Sequence, residues 1–234
     1  MNRFFLLLLL LWCVTARALA QDTESGNPPN FCRNGAFASD STAFRTARVV
    51  GAKGSRAYFH GDEEGCPGAK CRQTAYVIPG DELIVSRNFG DWLCAWFQPP
   101  KGSETVGWIP AHQLSVAEAA RNPPLARWLG AWEFHYQSLD IRRDAQPGQL
   151  RVEGEAFWKG LGDNIHIGEV NGRARPEGNV LVVEDDICRA TLRLVGDYLV
   201  VSDNSDCGGM NVRFDGVYRR KKARGSTTRS RRSL

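Results

Sequence analysis

Residues 75–97, with the sequence AYVIPGDELIVSRNFGDWLCAWF, decide the fold. Short apolar runs alternate here with the turn formers Pro79-Gly80-Asp81 and Asn88-Phe89-Gly90-Asp91, a pattern that is typical of antiparallel strands in a small barrel. Because side chains alternate along a strand, the run at residues 92–97 has two faces, one with Trp92, Cys94 and Trp96 and the other with Leu93, Ala95 and Phe97. Both faces are apolar, so one of them is expected to be covered by the rest of the chain or to bind a ligand.

A second block, residues 125–218, also has the period of strands. Apolar residues alternate with charged ones in two stretches that contain Leu150, Val152, Ala156 and Trp158, and Cys188, Ala190, Leu192 and Leu194. Gly196 stands at the first position of a tight hairpin turn, where glycine is favoured. About seven or eight strands in roughly 95 residues indicate a closed barrel or a compact sandwich. The predicted fold class is therefore all-β, with a small N-terminal barrel and a C-terminal antiparallel barrel or sandwich.

The first 20 residues are predicted to be a signal peptide. Arg3 is followed by an apolar run from Phe4 to Trp12 and then by Ala18-Leu19-Ala20, the small-x-small pattern that signal peptidase accepts. The run is about half of the ~20 residues that a membrane-spanning helix needs. We therefore expect cleavage after Ala20 and a protein that is periplasmic or secreted.

The rest of the chain divides by composition. Residues 21–43 are polar and rich in Asn, Ser, Pro and Gly, which predicts a linker, and residues 44–116 form the first compact block. A short helix is expected at residues 116–120, and it would be stopped by Asn122-Pro123-Pro124. Residues 117–124 are therefore interpreted as a second linker between the blocks, with residues 219–234 as a basic, disordered tail.

Cysteine usage agrees with export. Cleavage after Ala20 removes Cys13 and leaves an even number of cysteines, for which disulfides are the default interpretation in an oxidising compartment. The interval from residue 95 to residue 187 contains no cysteine, which suggests one C-terminal and two N-terminal bridges. We expect Cys188 to pair with Cys207, and of the three N-terminal arrangements we favour Cys66 with Cys71 and Cys32 with Cys94.

Charge is distributed unevenly. All 26 acidic residues lie within residues 21–218, which hold 20 of the 30 basic residues, so this part is negative. The last 16 residues carry eight positive charges, among them Arg219, Arg220, Lys221, Lys222 and Arg224. Such a run cannot bury enough apolar surface to fold. It is expected to be a solvated tail or an anchor to anionic envelope polymers or lipid headgroups, and nucleic acid is not expected as a partner of an exported protein.

The first block resembles bacterial Src-homology-3-like (SH3-like) domains. The resemblance rests on residues 55–60 (SRAYFH), the Gly80-Asp81 turn, the Gly90-Asp91-Trp92 hairpin and the closing Gly107-Trp108-Ile109, over about 70 residues. It implies a five-stranded barrel in an envelope or secreted protein, often beside the cell wall. The common Leu-Asn-Val-Arg stretch of the early strand is missing.

The second block is loosely similar to lipocalin-like barrels. The similarity rests on Gly130-Ala131-Trp132 near its first strand and on the run from Phe214 to Arg219, which ends in a basic residue, at its last strand. This resemblance implies a closed barrel.

No catalytic constellation is recognisable. The four histidines, His60, His112, His135 and His166, do not have the spacing of metal ligands. Glu184-Asp185-Asp186, Asp203 and Asp206 do not follow the alternation of a calcium loop and are interpreted as turn residues. With the cysteines in bridges, no free thiolate is left as a nucleophile. We therefore predict a non-enzymatic protein without a cofactor or metal.

The aromatic residues of the first block are the best candidate site. Tyr58, Tyr76, Trp92 and Trp108 are expected to lie at strand ends and to form a cleft that stacks on sugar rings or peptide. Asp62, Glu63 and Glu64 would supply a negative rim, while Trp96 and Phe97 are expected in the core.

The cleft leads to three hypotheses about function. The first is an envelope binding module that recognises a cell-wall glycopeptide or a wall-associated protein. The second is a periplasmic inhibitor or immunity protein directed against a cell-wall hydrolase. The third is a hydrolase whose site is not recognisable from the sequence.

Overall fold

The computed structural model describes residues 26–221, and these residues form an all-β protein with fifteen strands in two sheets. The strands are β1 Arg45–Val49, β2 Ala57–His60, β3 Arg72–Val77, β4 Glu82–Phe89, β5 Trp92–Phe97, β6 Thr105–Pro110, β7 Leu114–Ala117, β8 Gly130–Phe134, β9 Gln137–Arg143, β10 Leu150–Lys159, β11 Ile165–Ala174, β12 Val180–Asp185, β13 Cys188–Val195, β14 Tyr198–Asp203 and β15 Gly216–Arg220. Short 3₁₀ helices lie at Ala69–Cys71, Ala111–Gln113 and Leu125–Arg127. The predicted signal peptide, Lys222 and Arg224 lie outside the described residues.

The first sheet is antiparallel and has the strand order β3-β2-β6-β5-β4-β1-β7. Its centre is the stretch that decides the fold, since Ile84 pairs with Trp96 and Val85 with Ala95 across β4 and β5. At the turn before β4, Gly80 has a φ of 99°, and the Ile78 amide donates to the Asp81 carboxylate at 2.9 Å. A positive φ of this size favours glycine, which explains why the Pro-Gly-Asp sequence makes this turn.

Both apolar faces of β5 are buried. Leu93 and Ala95 belong to one core within the first sheet, together with Phe59, Leu83 and Ile109. On the other face, Cys94, Trp96 and Trp108 pack against residues of the N-terminal segment and of the second sheet, namely Cys32, Phe37, Ala38, Phe44, Val195, Val200 and Val217. Of the two alternatives for this face, cover by the rest of the chain or binding of a ligand, the structure shows the first.

The second sheet, called the barrel from here on, has the strand order β11-β10-β9-β8-β15-β14-β13-β12. Consecutive strands are neighbours, and the last strand returns to the first, with Arg220 of β15 paired to Trp132 of β8. The edge strands β11 and β12 meet where the Asn171 amide donates to the Asp185 carboxylate at 2.8 Å, so the barrel is nearly closed. Its interior is filled by its own side chains, including Trp128, Trp132, Phe214 and Tyr218.

Three disulfides join Cys32 to Cys94, Cys66 to Cys71 and Cys188 to Cys207, which confirms the predicted pairing. The first attaches the N-terminal segment to β5, in the centre of the first sheet. The third attaches the start of β13 to the loop before β15, at one end of the barrel. Each sheet therefore has its own covalent support.

Two boundaries differ from the sequence analysis. The helix expected at residues 116–120 is wrong, because residues 114–117 form β7, whose Val116 pairs with Ala47 of β1. The disordered tail does not begin at Arg219 either, since Arg219 and Arg220 belong to β15. Within residues 26–221 no helix is long and apolar enough to cross a membrane.

The two sheets are held against each other by polar as well as apolar contacts. Arg219 of the barrel donates to the Gln98 carbonyl at 2.5 Å, and its guanidinium carbon lies 5.8 Å and 5.7 Å from the ring centres of Trp96 and Tyr198. Glu104, which accepts a hydrogen bond from the Trp96 indole within the first sheet at 2.6 Å, lies 3.7 Å from Nε2 of His135 in the barrel. These contacts fix the outer face of the barrel against the covered face of the first sheet.

Candidate functional site

Two of the four predicted aromatic residues, the half-buried Tyr58 and the exposed Tyr76, form a pair on the hairpin β2–β3. Tyr58 and Tyr76 are direct cross-strand partners, with ring centroids 5.7 Å apart at a tilt of 58°. Such pairs are within the range of favourable aromatic contacts on a sheet surface. Tyr76 remains 41% exposed. The pair therefore presents rigid ring surface to solvent.

Two arginines stack on this pair. The guanidinium carbon of Arg56 lies 4.3 Å from the centre of the Tyr76 ring, and that of Arg72 lies 4.6 Å from the centre of the Tyr58 ring. Both distances are typical of cation–π contacts. Hydrogen bonding to the Tyr58 side chain raises the pKa of the Arg56 guanidinium. The four residues Arg56, Tyr58, Arg72 and Tyr76 are called the Tyr–Arg surface from here on.

The positive charges of the Tyr–Arg surface are not neutralised within the described chain. Among residues 26–221, no carboxylate lies within ion-pair distance of Arg56 or Arg72. Strand β3 is an edge of the first sheet, and its Arg72, Gln73 and Thr74 are exposed. An anionic group therefore has open access to two guanidinium groups whose planes are already oriented by the tyrosine rings.

The two predicted tryptophans are not part of this surface. Trp108 is completely buried, its indole donates to the Asn30 carbonyl at 2.7 Å, and its ring packs against Phe89. Trp92 is half-buried with its ring 4.6 Å from that of His60. The structure thus places Tyr58 and Tyr76 in direct contact, and within residues 26–221 no ring contact joins Trp92 or Trp108 to either tyrosine.

Of the predicted negative rim, the Asp62 carboxylate is engaged in holding the N-terminal segment. The Asp62 carboxylate accepts from the Cys32 amide at 2.8 Å and pairs with Arg33 at 2.8 Å. Asn30 donates to the backbone carbonyls of Asp62 and Glu63. Asp62 therefore fastens residues 30–33 over the buried face of the first sheet.

Three of the predicted tail residues have partners in the fold. Arg220 lies 4.3 Å from the centre of the Trp132 ring and donates to the carbonyls of Leu129 and Arg127, while Lys221 pairs with Glu133. Arg219 contacts Gln98 as described above. Arg220 and Lys221 bind the barrel itself and Arg219 joins it to the first sheet, which explains why the ordered strand continues through Arg220.

One end of the barrel is unusually apolar, a feature that the sequence analysis missed. In an up-and-down barrel alternate turns lie at the same end, so the β8–β9, β10–β11, β12–β13 and β14–β15 connections are neighbours. Their exposed apolar side chains are Tyr136, Phe157, Leu161, Ile165, Ile167, Ile187 and Met210, with Leu161 97% exposed. The alternation of Ile165 and Ile167 around His166 is the sequence pattern that could have indicated this exposed apolar set. This set is called the apolar end.

A buried charge network supports the loop at this end. Asp203 accepts hydrogen bonds from the amides of Ser205 and Phe214, and Arg213 pairs with both Asp203 and Asp215. Burial raises the pKa of Asp215 to about 6. The network holds the β14–β15 loop in place, and among residues 26–221 no group of three or more His, Cys, Asp or Glu side chains is arranged to hold a metal ion.

Comparison with protein-family models, with curated proteins and with solved structures finds no match.

Proposed function

We propose that the protein is a non-enzymatic binding protein of the bacterial cell envelope, periplasmic or secreted, that recognises a cell-wall glycopeptide. The observation that carries this proposal is the Tyr–Arg surface, with the exposed Tyr76 ring, the half-buried Tyr58 ring beside it and two guanidinium groups free of carboxylates in the described chain. The proposed site keeps Tyr58 and Tyr76 of the predicted cleft, leaves out Trp92 and Trp108, and adds Arg56 and Arg72.

The chemistry of the surface matches that of a glycopeptide. Tyrosine rings offer flat apolar faces with a polar edge, which suits stacking on a sugar ring. Guanidinium groups donate two parallel hydrogen bonds to a carboxylate, and such charge-assisted bonds are roughly twice as strong as neutral ones. A wall glycopeptide carries both sugar rings and peptide carboxylates close together. It therefore satisfies both halves of the site at once.

Export is supported by three features. Three disulfides are expected in an oxidising compartment. Ala18-Leu19-Ala20 follows an apolar run as in a cleaved signal peptide. The SH3-like resemblance of residues 55–114 adds an association with the cell wall. We propose the periplasm or the extracellular side as the site of action.

The experiment is co-sedimentation of the mature protein with purified sacculi at low salt. The double variants Tyr58→Ala/Tyr76→Ala and Arg56→Gln/Arg72→Gln are expected to weaken binding by roughly tenfold each. Tyr136→Ala and Arg143→Gln are matched controls, because both residues are exposed on the barrel. Unchanged binding by both double variants contradicts the proposal, and release of muropeptides by the pure protein contradicts its non-enzymatic part.

A second candidate function is inhibition of, or immunity against, a cell-wall hydrolase. It is favoured by the apolar end, where the hairpin β10–β11 presents Phe157, Leu161, Ile165 and Ile167 to solvent. Exposed apolar sets of this kind are typical of protein-binding surfaces. Inhibition of a lysozyme-type activity that is lost in Leu161→Asp/Ile167→Asp, without retention on sacculi, would favour this function over the first.

A further inference from the structure

We infer that a groove between the first sheet and the barrel is a binding site for a small phosphate monoester. The groove has a volume of about 240 Å³ and contains three arginines, Arg45 from β1, Arg121 from the connection between the sheets and Arg193 from β13. It lies beside β1, five strands from β3 in the order of the first sheet, and is therefore distinct from the Tyr–Arg surface.

Arg193 is the residue that most strongly suggests a ligand. Its side chain points out of the barrel, because its neighbours Leu192 and Leu194 point into the core. Its guanidinium is partly buried, and Nη1 donates to the Ser202 hydroxyl at 3.3 Å. No carboxylate of residues 26–221 pairs with the Arg193 guanidinium. Burial lowers the pKa of this guanidinium. A partly desolvated cation of this kind is stabilised when an anion enters beside it.

The other two arginines add donors at the same groove. Arg45 uses one nitrogen to donate to the Ser86 carbonyl at 3.2 Å, and Arg121 has no ion pair with any carboxylate in the described part of the chain. A guanidinium has five N–H groups, so each arginine retains several donors for a ligand. Glu118, the acidic residue of the groove, forms no ion pair with any of the three, and the groove has a positive balance of two charges.

The lining indicates which anion fits. Three guanidinium groups suit a compact dianion with several oxygens, as a phosphate monoester provides. The Thr42 hydroxyl and the Asn179 side chain also line the groove, and the Asn179 amide nitrogen already donates to the Leu194 carbonyl, which leaves its oxygen free to accept. The Thr42 hydroxyl and the Asn179 oxygen are suited to hydrogen bonds with hydroxyl groups that a ligand carries next to its phosphate. The geometry therefore points to a small phosphorylated sugar or similar polyol.

The test is isothermal titration of the mature protein at low salt with two probes, inorganic phosphate and a hexose 6-phosphate. We expect saturable binding at one site, tighter for the hexose phosphate. Arg193→Gln is expected to weaken binding of the hexose phosphate by roughly tenfold. Arg193→Lys is expected to weaken it by less, because lysine keeps the positive charge but cannot donate two parallel hydrogen bonds as a guanidinium does. Glu118→Gln is expected to strengthen binding, and Arg143→Gln, an exposed arginine elsewhere on the barrel, to leave it unchanged.

Three outcomes overturn the inference: no saturation with either probe, equal affinity in Arg193→Gln and the wild type, or equal affinity for succinate and phosphate. Loss of phosphate binding in Arg56→Gln/Arg72→Gln would also overturn it, since that result would place the anion on the Tyr–Arg surface. If Arg193→Gln does not fold, Arg45→Gln replaces it, because Arg45 lines the same groove and its side chain donates to the Ser86 backbone carbonyl.

Discussion

The guanidinium of Arg220 lies 4.3 Å from the centre of the fully buried Trp132 ring, and the same side chain donates to two carbonyls in the segment that precedes β8. The last strand of the barrel is thereby fastened to the first. This contact makes Arg220 a closing residue, although it stands at the beginning of a strongly basic run.

The first prediction concerns this closure. Arg220→Ala removes a cation–π contact and two hydrogen bonds to carbonyls, so it is expected to lower the free energy of unfolding by about 2 kcal/mol. Arg143→Ala, an exposed arginine on β9, is expected to change it by less than about 0.5 kcal/mol. Urea denaturation followed by tryptophan fluorescence measures both. Equal stability of the two variants would show that Arg220 does not close the barrel.

The second prediction concerns pH. Burial raises the pKa of Asp215 to about 6 from its ordinary value of 3.8, so the folded state holds this proton more tightly than the unfolded state. The resulting stabilisation is complete below the unfolded pKa and is lost as the pH rises through the folded pKa. A pKa difference of about two units between the folded and unfolded states corresponds to at most about 3 kcal/mol in the free energy of unfolding. Asp203 belongs to the same network, because Arg213 pairs with both Asp203 and Asp215.

Asp215→Asn isolates this contribution. The asparagine has no proton to lose, so the variant is expected to gain stability relative to the wild type between pH 4 and pH 7. Denaturation curves at both pH values measure the difference, with Asp197→Asn as a control on an exposed hairpin turn. A constant difference between variant and wild type at the two pH values would contradict the raised pKa.

The third prediction compares two disulfides. Cys32–Cys94 closes a loop with a sequence separation of 62, and Cys66–Cys71 closes one with a separation of 5. In the chain-entropy model the first disulfide stabilises the folded state by about 4 kcal/mol and the second by about 2 kcal/mol. Replacing both cysteines of the first pair by serine is therefore expected to cost more stability than the same change in the second. Thermal unfolding of the two double variants measures this order, and the reverse order contradicts it.

Local periodicity explains which parts of the fold the sequence predicts. The strands of residues 75–97 depend on neighbours close in the chain, and the structure confirms them; of the predicted turn at residues 88–91 only Gly90-Asp91 is a turn, because Asn88 and Phe89 continue β4 and pair with Leu93 and Trp92. The indole of Trp108 is bonded to the carbonyl of Asn30, which is 78 positions away in the sequence. The residues next to a tryptophan do not reveal such a distant partner, so a buried tryptophan and a ligand-binding one have the same local sequence pattern. Arg220 was assigned to a disordered tail for the same reason, because the carbonyls that it binds lie about 90 residues earlier in the sequence.

The fourth prediction concerns the basic residues after the barrel. Deleting residues 222–234 removes five cations, Lys222, Arg224, Arg229, Arg231 and Arg232, and spares the three that bind the fold. Affinity for vesicles containing anionic lipid is expected to fall, since each cation near such a surface contributes about 1 kcal/mol. Replacing the five by glutamine should have the same effect. Unchanged vesicle binding at low salt would eliminate the anchor hypothesis.

The last prediction separates the Tyr–Arg surface from the predicted tryptophan cleft. Tyr76 is 41% exposed and Trp108 is fully buried, so the two substitutions should affect different measurements. Tyr76→Ala is expected to weaken retention on sacculi by roughly threefold to tenfold with little change in stability. Trp108→Phe removes the hydrogen bond to the partly buried Asn30 carbonyl, so it should lower the free energy of unfolding by about 1 kcal/mol while retention by the folded fraction is unchanged. If Trp108→Phe folds normally and loses retention while Tyr76→Ala keeps it, the ligand lies on the covered face and the assignment to Tyr58 and Tyr76 is wrong.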